Sequence, residues 1–153
     1  LIGEIRTRDT MDSCIQLANT GHLGLATLHA NNAYQALQRI VNLYPEDLRS
    51  QLYMDLSMTL RAIVSQRLVR RKDGRRCAAF EVMVNTPYIS DLILNRRVEE
   101  IKEAMSQSSD KGMLTFDQSL FKLYKDGQIE REEALNASDS LGNLEAKINF
   151  GGL

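Results

Sequence analysis

Two short apolar runs with a helical pattern between them constrain the fold of this chain more than any other feature. The first run, LIGE, occupies residues 1–4, and the second, HLGLATLH, occupies residues 22–29. Each has the length of a buried strand, and each ends in a polar side chain. Between them, Met11, Ile15 and Ala18 follow one another at helical spacing. The order strand, helix, strand predicts an α/β fold with parallel strands.

The next segment predicts two helices. Residues 31–44 suit a helix that begins at Asn31 or Asn32 and stops before Pro45. Apolar side chains then recur at every fourth position, which predicts the longest helix of the chain and a central part of its core. This stripe consists of Leu48, Leu52, Leu56, Leu60 and Val64.

A β-hairpin follows, because the Asp73-Gly74 pair is a strong signal for a tight turn between two strands. The second strand should carry alternating apolar residues on one face. Arginines crowd the hairpin, which suits either a solvated tip or an edge that faces an anion or another subunit. The alternating set is Ala78, Phe80, Val82 and Val84, and the arginines are Arg67, Arg70, Arg71, Arg75 and Arg76.

The pattern becomes helical after Pro87 and loses any clear period near the end of the chain. We therefore expect three parts. Residues 1–86 should form an α/β core, residues 87–138 a helical subdomain, and residues 139–153 a flexible tail. The first residue is Leu1 rather than Met, which suggests a segment of a longer protein.

Charge and composition argue against several classes of protein. The 153 residues include 19 Lys or Arg and 20 Asp or Glu, so the formal net charge of −1 leaves no broad basic surface for nucleic acid. No apolar run approaches the ~20 residues of a transmembrane helix, and direct membrane insertion is not expected. Cys14 and Cys77 belong to no CxxC pair, which indicates buried free thiols in a reducing compartment.

Glu4 ends the first apolar run, at the place where ligands bind in open α/β sheets. A carboxylate at that place can hold a Mg²⁺-bound water beside nucleotide phosphates. From these four residues alone, the simpler explanation is that Glu4 caps a helix or pairs with Arg6 or Arg8. The functional interpretation therefore depends on what lies nearby.

His29 ends the second run, where an imidazole can contact a γ-phosphate or simply hydrogen-bond a loop. His22 begins the same run, about 23 Å away if the segment is a regular strand. The two side chains therefore cannot contact one small ligand. His22 suits a contact with another subunit, or a role in orienting the preceding loop. Their spacing on a strand is also poor for a metal, and no zinc site is expected.

These motifs together resemble one superfamily. LIGEIR followed by TGHLGLATLHANNA is similar to the Walker B segment and histidine box of the type II/IV secretion ATPases. The similarity continues through QALQRIVNLYPED, LRAIVSQRLVRR, FEVMVNTP and KGMLTFDQSLFKLYKDGQI. Within the superfamily it points to the type IV pilus retraction ATPases, PilT-like or more closely PilU-like. The four-cysteine zinc element usual in assembly and secretion ATPases is missing after SQRLVRR, and Ser90-Asp91 favours the PilU-like type.

The resemblance implies the C-terminal part of a RecA-like P-loop NTPase core in residues 1–86, followed by the helical subdomain. It implies ATP and Mg²⁺ as ligands, with Glu4 acting on Mg²⁺ through water as a catalytic residue. His29 would approach the γ-phosphate, and His22 would belong to the same nucleotide-binding box.

The resemblance also implies an assembly and a place of action. The assembly is a hexamer, either of identical subunits or mixed with a paralogous motor ATPase. It would act on an inner-membrane pilus platform protein, in the bacterial cytoplasm at the pilus base, to power pilus retraction and twitching motility. No GxxxxGK[ST] sequence occurs, so we expect ATPase activity in the full-length parent and none in this segment alone.

Two alternatives remain open from the sequence. One is a secretion or assembly ATPase of the same superfamily without the zinc element. The other is a non-catalytic accessory subunit that joins or modulates a pilus motor.

Overall fold

The computed structural model describes residues 1–108, 110 and 112–150 of this chain. Helices dominate this part of the chain, and an antiparallel hairpin interrupts them midway. Short 3-10 turns lead into the third and fifth helices. In chain order the elements are α1 (Arg8–Asn19), α2 (Ala33–Asn42), α3 (Arg49–Thr59), β1 (Ala62–Arg70), β2 (Arg76–Val84), α4 (Pro87–Leu94), α5 (Ile101–Gln107), α6 (Phe116–Lys125), α7 (Arg131–Asn136) and α8 (Leu141–Phe150).

The two N-terminal apolar runs lie side by side and parallel, as predicted. The N–H of Ile2 donates to the carbonyl of Leu25 at 2.7 Å, and the N–H of Ile5 donates to that of Thr27 at 2.9 Å. They form a single bridge between Ile2 and Ala26 rather than the predicted regular strands. Within the described residues each run pairs only with the other, and a lone parallel pair is too weak to extend.

Side-chain caps mark where three of the helices begin. Thr7 accepts a hydrogen bond from Thr10 ahead of α1, and Asn32 accepts one from Gln35 ahead of α2. Thr115 forms a reciprocal capping box at α6. Each cap satisfies a backbone N–H that has no partner within its helix, so these sequence signals fix the helix starts.

The leucine helix is shorter than predicted. Helix α3 ends at Thr59 and β1 begins at Ala62, so Val64 lies in a strand, with 65% of its surface exposed. Ile63 and Val64 are β-branched and suit a strand, and pairing with β2 provides ladder hydrogen bonds. Tertiary pairing therefore overrides the every-fourth-residue pattern at its end.

The predicted hairpin is confirmed. Strands β1 and β2 pair from Ala62 opposite Val84 to Arg70 opposite Arg76, and Gly74 adopts the positive φ of 81° that the turn requires. The predicted apolar face is nevertheless the less buried one, and Phe80 on it is 41% exposed. The face turned to the core carries Ala79, Glu81 and Met83.

The buried side chains form two clusters, and the hairpin contributes to both. The first cluster combines Ile5 and Met83 with buried residues of α1 to α5. Helices α4 and α5 therefore pack with the N-terminal elements, so the predicted division at residue 87 does not coincide with the boundary between clusters. The three-part division stays a prediction. The second cluster consists of Val69, Ala79, Phe116, Leu120, Ile129, Ala134 and Leu144.

The prediction of a flexible tail over residues 139–153 was wrong for residues 141–150, which form α8. Leu144 on this helix is 1% exposed, and Ile148 packs on the same cluster one turn later. The apolar anchors are too few to give a clear period in the sequence, and they are buried only by contact with other helices. Residues 151–153 lie outside the described residues.

Candidate functional site

The parallel register of the two N-terminal runs brings Glu4 next to His29. Besides the backbone bonds around Ile2 and Ile5, the hydroxyl of Thr27 donates to the carbonyl of Gly3. Glu4 Oε1 then lies 3.2 Å from His29 Nε2. Two of the predicted site residues, 25 positions apart in the sequence, thus form one polar pair at the ends of the runs.

Glu4 also makes the ion pair that the simpler interpretation of the sequence anticipated. Arg6 donates to Glu4 Oε2 through Nε at 2.7 Å and Nη2 at 2.6 Å. This hydrogen bonding lowers the pKa of Glu4 below its ordinary value, and partial burial opposes the shift without cancelling it. Glu4 is therefore an ionised carboxylate at neutral pH, and its side chain is 21% exposed. Pairing with Arg6 and contact with His29 coexist, because they use different carboxylate oxygens.

His22 lies apart from this pair. Its Nδ1 is 3.0 Å from the hydroxyl of Thr20, the residue that caps the end of α1, and its backbone N–H donates to the carbonyl of Leu17. These contacts match the sequence-based interpretation that His22 orients the preceding loop. Its membership of a nucleotide site stays a prediction.

Glu81 is a candidate site residue that the sequence analysis missed. It is 4% exposed, and its Oε1 accepts a hydrogen bond from the backbone N–H of Ala33 at 2.7 Å. Ala33 comes four residues after His29 in the sequence. Burial raises the pKa of Glu81, and the hydrogen bond from Ala33 partly offsets that rise. The signal was present in the alternation of β2, where a charged residue shares the inward face with Ala79 and Met83.

Arg67 differs from the arginines at the hairpin tip in its contacts with distant parts of the chain. Its Nη1 donates to the carbonyl of Ala137 at 2.9 Å and pairs with Asp139 Oδ1 at 2.6 Å. Its Nη2 donates to the carbonyl of Asn31 at 3.4 Å, and its guanidinium carbon lies 3.9 Å from the ring centroid of Phe116. One side chain therefore contacts both the loop after His29 and the C-terminal helices.

Asp73 in the turn pairs with two of the arginines at the hairpin tip. Arg71 and Arg75 both pair with Asp73, at 3.5 Å and 3.2 Å. The side chain of Arg75 is 80% exposed. The predicted arginine cluster thus divides into a tip where Arg75 is solvent-exposed and a partly buried contact at Arg67.

The donor set of the site suits magnesium bound through water rather than a closed metal centre. Within the described ranges, no three His, Cys, Asp or Glu side chains are arranged to hold a metal ion. Mg²⁺ beside a nucleotide usually takes one or two carboxylates together with phosphates and several waters. Glu4 offers one accessible carboxylate of this kind.

The two cysteines do not form a disulfide. Cys14 and Cys77 are both free thiols, and each is partly buried rather than fully buried as predicted.

Comparison with known proteins identifies relatives across nearly the whole chain. A model of the family "Type II/IV secretion system protein" matches residues 1–130. The type IV pilus ATPase PilU of Pseudomonas aeruginosa is 51% identical over 152 residues, which are 99% of this chain and 40% of that protein. The type IV pilus retraction ATPase PilT of the same organism is 35% identical over 134 residues, 88% of this chain and 39% of that protein.

Solved structures agree with these sequence matches. The pilus retraction motor PilT with bound ADP matches with a TM-score of 0.81 and 35% identity, covering 94% of this chain and 40% of that chain. The ATPase DotB of Yersinia pseudotuberculosis matches with a TM-score of 0.78 and 30% identity, over 89% and 35% of the two chains. The predicted α/β ATPase fold is confirmed.

This chain spans about two fifths of the length of these pilus ATPases. In the part that the structure describes, none of the helices has the length and apolar character needed to cross a bilayer. Since the family model covers most of the sequence, the chain belongs to the type II/IV secretion system protein family.

Proposed function

We propose that this chain is part of an ATP-hydrolysing motor that retracts type IV pili, and that Glu4 and His29 act at its nucleotide. The observation that carries the proposal is the 3.2 Å contact between Glu4 Oε1 and His29 Nε2. Similarity to PilU and PilT supports the assignment to pilus motors. A structural match to PilT with bound ADP supports a nucleotide as the ligand.

The residues at the site fit one side of a magnesium–nucleotide site. Glu4 is ionised and reachable from solvent, so it can hold a water of the Mg²⁺ shell. Bound Mg²⁺ would neutralise charge on the phosphates. Arg6 keeps the Glu4 carboxylate charged and fixes one of its oxygens, which leaves the other for His29.

His29 is placed to act on a group outside this chain. Its side chain is 78% exposed, and the contact with Glu4 favours a proton on Nε2. The opposite nitrogen, Nδ1, is then free to accept a hydrogen bond. Such an imidazole can hold or relay a proton at the terminal phosphate or at an attacking water.

We further propose the assembly that the relatives' type of motor suggests. The chain would work in a hexamer, homomeric or mixed with a paralogous motor subunit, at the cytoplasmic side of the inner membrane, against a pilus platform protein. The exposed position of His29 supports a site completed by residues outside this segment.

The test is steady-state ATP hydrolysis by the full-length protein that contains this segment. Glu4→Gln and His29→Ala should each lower kcat by about 10² or more, the usual range for a lost acid–base or electrostatic group. Their thermal melts should stay close to that of the wild type. Glu100→Gln is a matched control, because Glu100 is also held by an arginine and its pKa is also lowered by that bond.

Two results would contradict the proposal. Equal hydrolysis by the wild type, Glu4→Gln and Glu100→Gln would show that Glu4 is an ordinary ion-pair partner. A full-length wild-type protein that hydrolyses no ATP, but changes the activity of a paralogous motor, would favour the accessory-subunit alternative. Twitching zones of a complemented deletion strain would measure the retraction part of the proposal.

A further inference from the structure

We infer that Glu81 and Arg67 are positioning residues for His29, and that they connect the histidine loop (residues 29–33) to the C-terminal helices. The inference rests on the proposed function, because His29 is the side chain that this loop presents to the nucleotide. Neither residue contacts the nucleotide-facing pair directly. Both act on the backbone of the loop.

Glu81 makes one tertiary attachment of the loop, and Arg67 makes a second. The first N–H groups of a helix lack intrahelical partners. In this loop, the N–H of Asn31 donates to the Gln35 side chain, and the N–H of Gln35 donates to the Asn32 side chain. Both bonds stay within the loop and α2. The N–H of Ala33 instead donates to Glu81, on a strand 48 residues further along the chain.

The free-energy cost of burying the Glu81 carboxylate indicates that its hydrogen bond to the loop has a functional role. The residue is 4% exposed and stands between Ala79 and Met83 on the inward face of β2. An apolar side chain would fill this position without the desolvation penalty of a carboxylate. The positive charges of Arg67 and Lys102 reduce that penalty, while Asp139 adds to it. The hydrogen bond to Ala33 explains why an acceptor is kept there.

Arg67 attaches the middle of the loop, at Asn31, to a different part of the chain. Its guanidinium reaches the Asn31 carbonyl with Nη2, and the Ala137 carbonyl and Asp139 carboxylate with Nη1. The planar fork allows these simultaneous contacts, which the single ammonium of lysine cannot reproduce. The ring of Phe116 below the guanidinium holds its plane.

The contact reaches the helices through Asp139. The N–H of Asp139 donates to Asp117 Oδ1 at 2.8 Å, so Asp139 is fixed between the start of α6 and the start of α8. A displacement of these helices therefore moves the guanidinium of Arg67 and, through it, the carbonyl of Asn31. By this route the position of His29 depends on the C-terminal helices.

The first experiment measures hydrogen exchange of the Ala33 amide in this chain. Glu81→Ala should increase its exchange rate by about tenfold or more relative to amides in the middle of α2, because the amide loses its partner. Glu81→Gln keeps an acceptor oxygen and should restore most of the protection. Unchanged Ala33 exchange in Glu81→Ala would overturn the inference.

The second experiment measures kcat and KM for ATP in the full-length protein. Glu81→Ala should lower kcat by about tenfold with KM within a factor of two, since a misplaced His29 harms the chemical step more than binding. Glu81→Gln should recover kcat. Arg67→Lys should lower kcat in the same way, whereas Arg75→Lys, at the solvated tip, is the control and should match the wild type.

The two experiments separate the possible failures. A wild-type protein without ATP hydrolysis contradicts the proposed function, while the exchange of Ala33 still decides whether Glu81 positions the loop. Normal kcat in both Glu81→Ala and Arg67→Lys, in an active protein, overturns the inference. If Glu81→Ala does not fold, the comparison of Arg67→Lys with Arg75→Lys decides it.

Discussion

The hydroxyl of Tyr44 donates a 2.6 Å hydrogen bond to Asp12 Oδ1 and so ties the segment after α2 to α1. Tyr44 is 5% exposed. Burial first, and then the bond to Asp12, raise the pKa of Tyr44 above its ordinary value of 10.0. The fold therefore holds this phenol in its neutral form, with its proton directed at a carboxylate.

Tyr44→Phe should lower the free energy of unfolding by about 1.5–3 kcal/mol at neutral pH, because Asp12 loses a buried donor. The pKa in the folded state is the higher one, so the hydroxyl contributes fully below pH 10.0 and loses its contribution as the pH rises further. Denaturant melts of both proteins at about pH 8 and about pH 11 would measure this. A difference that stays constant between the two pH values would refute it.

Leu56→Ala should lower the free energy of unfolding by about 2–5 kcal/mol through the cavity it leaves. Leu56 is 1% exposed, in the first core cluster. Met58, two residues along the same helix, is 60% exposed, and Met58→Ala should stay within about 0.5 kcal/mol of the wild type. Equal losses in the two variants, by thermal or urea melts, would show that Leu56 is no more buried than Met58.

Leu144→Ala should destabilise the chain by about 2–5 kcal/mol, since α8 closes the second cluster. Leu141 begins the same helix and is 55% exposed, so Leu141→Ala is the matched control and should change stability by about 0.5 kcal/mol at most. Circular-dichroism melts of the two variants test whether α8 packs on the core. A flexible segment would make both substitutions silent.

The free energy of unfolding of the Glu81→Gln variant should increase relative to that of the wild type as the pH rises. The pKa of Glu81 is raised above its ordinary value of 4.5, so its neutral form is favoured in the folded state. Its favourable contribution is complete below pH 4.5 and is lost as the pH rises through the raised pKa. Urea melts at about pH 4 and pH 7 should therefore show a larger advantage of Glu81→Gln at pH 7. The opposite trend would contradict a pKa of Glu81 that burial raises.

The 153-residue chain by itself should release no phosphate from ATP above the buffer rate, because its sequence contains no GxxxxGK[ST] loop to hold the phosphates. A coupled phosphate assay with Mg²⁺ would test this. Glu4→Gln serves as the specificity control. Turnover by the wild-type chain that this substitution abolishes would show that the segment is sufficient for hydrolysis.

Local signals were enough to predict most of the fold. Thr7, Asn32 and Thr115 are caps that act within one turn, so the starts of α1, α2 and α6 could be read from the sequence. The Asp73-Gly74 turn fixed the hairpin for the same reason. The Glu4 and His29 pair could also be anticipated, because both residues end runs that lie parallel.

The errors have a common cause, which is contact between residues far apart in the chain. Val64 continues the helical leucine pattern, but pairing with Val82 places it in a strand. Leu144 gives no local period, but Leu120 and Ala134 surround it in the second cluster. The burial of Glu81 is explained by the hydrogen bond that it accepts from Ala33, which lies in another part of the chain.

The position of β2 between the two clusters affects how the chain unfolds. Ala79 packs in the second cluster and Met83 in the first, on the same face of one strand and four residues apart. If one cluster becomes disordered, β2 is displaced and the other cluster loses a buried side chain. The hydrogen-bond ladder between β2 and β1 spans both clusters. The two cores therefore form a single cooperative unit, and their slowest amides should exchange by one common opening reaction rather than two.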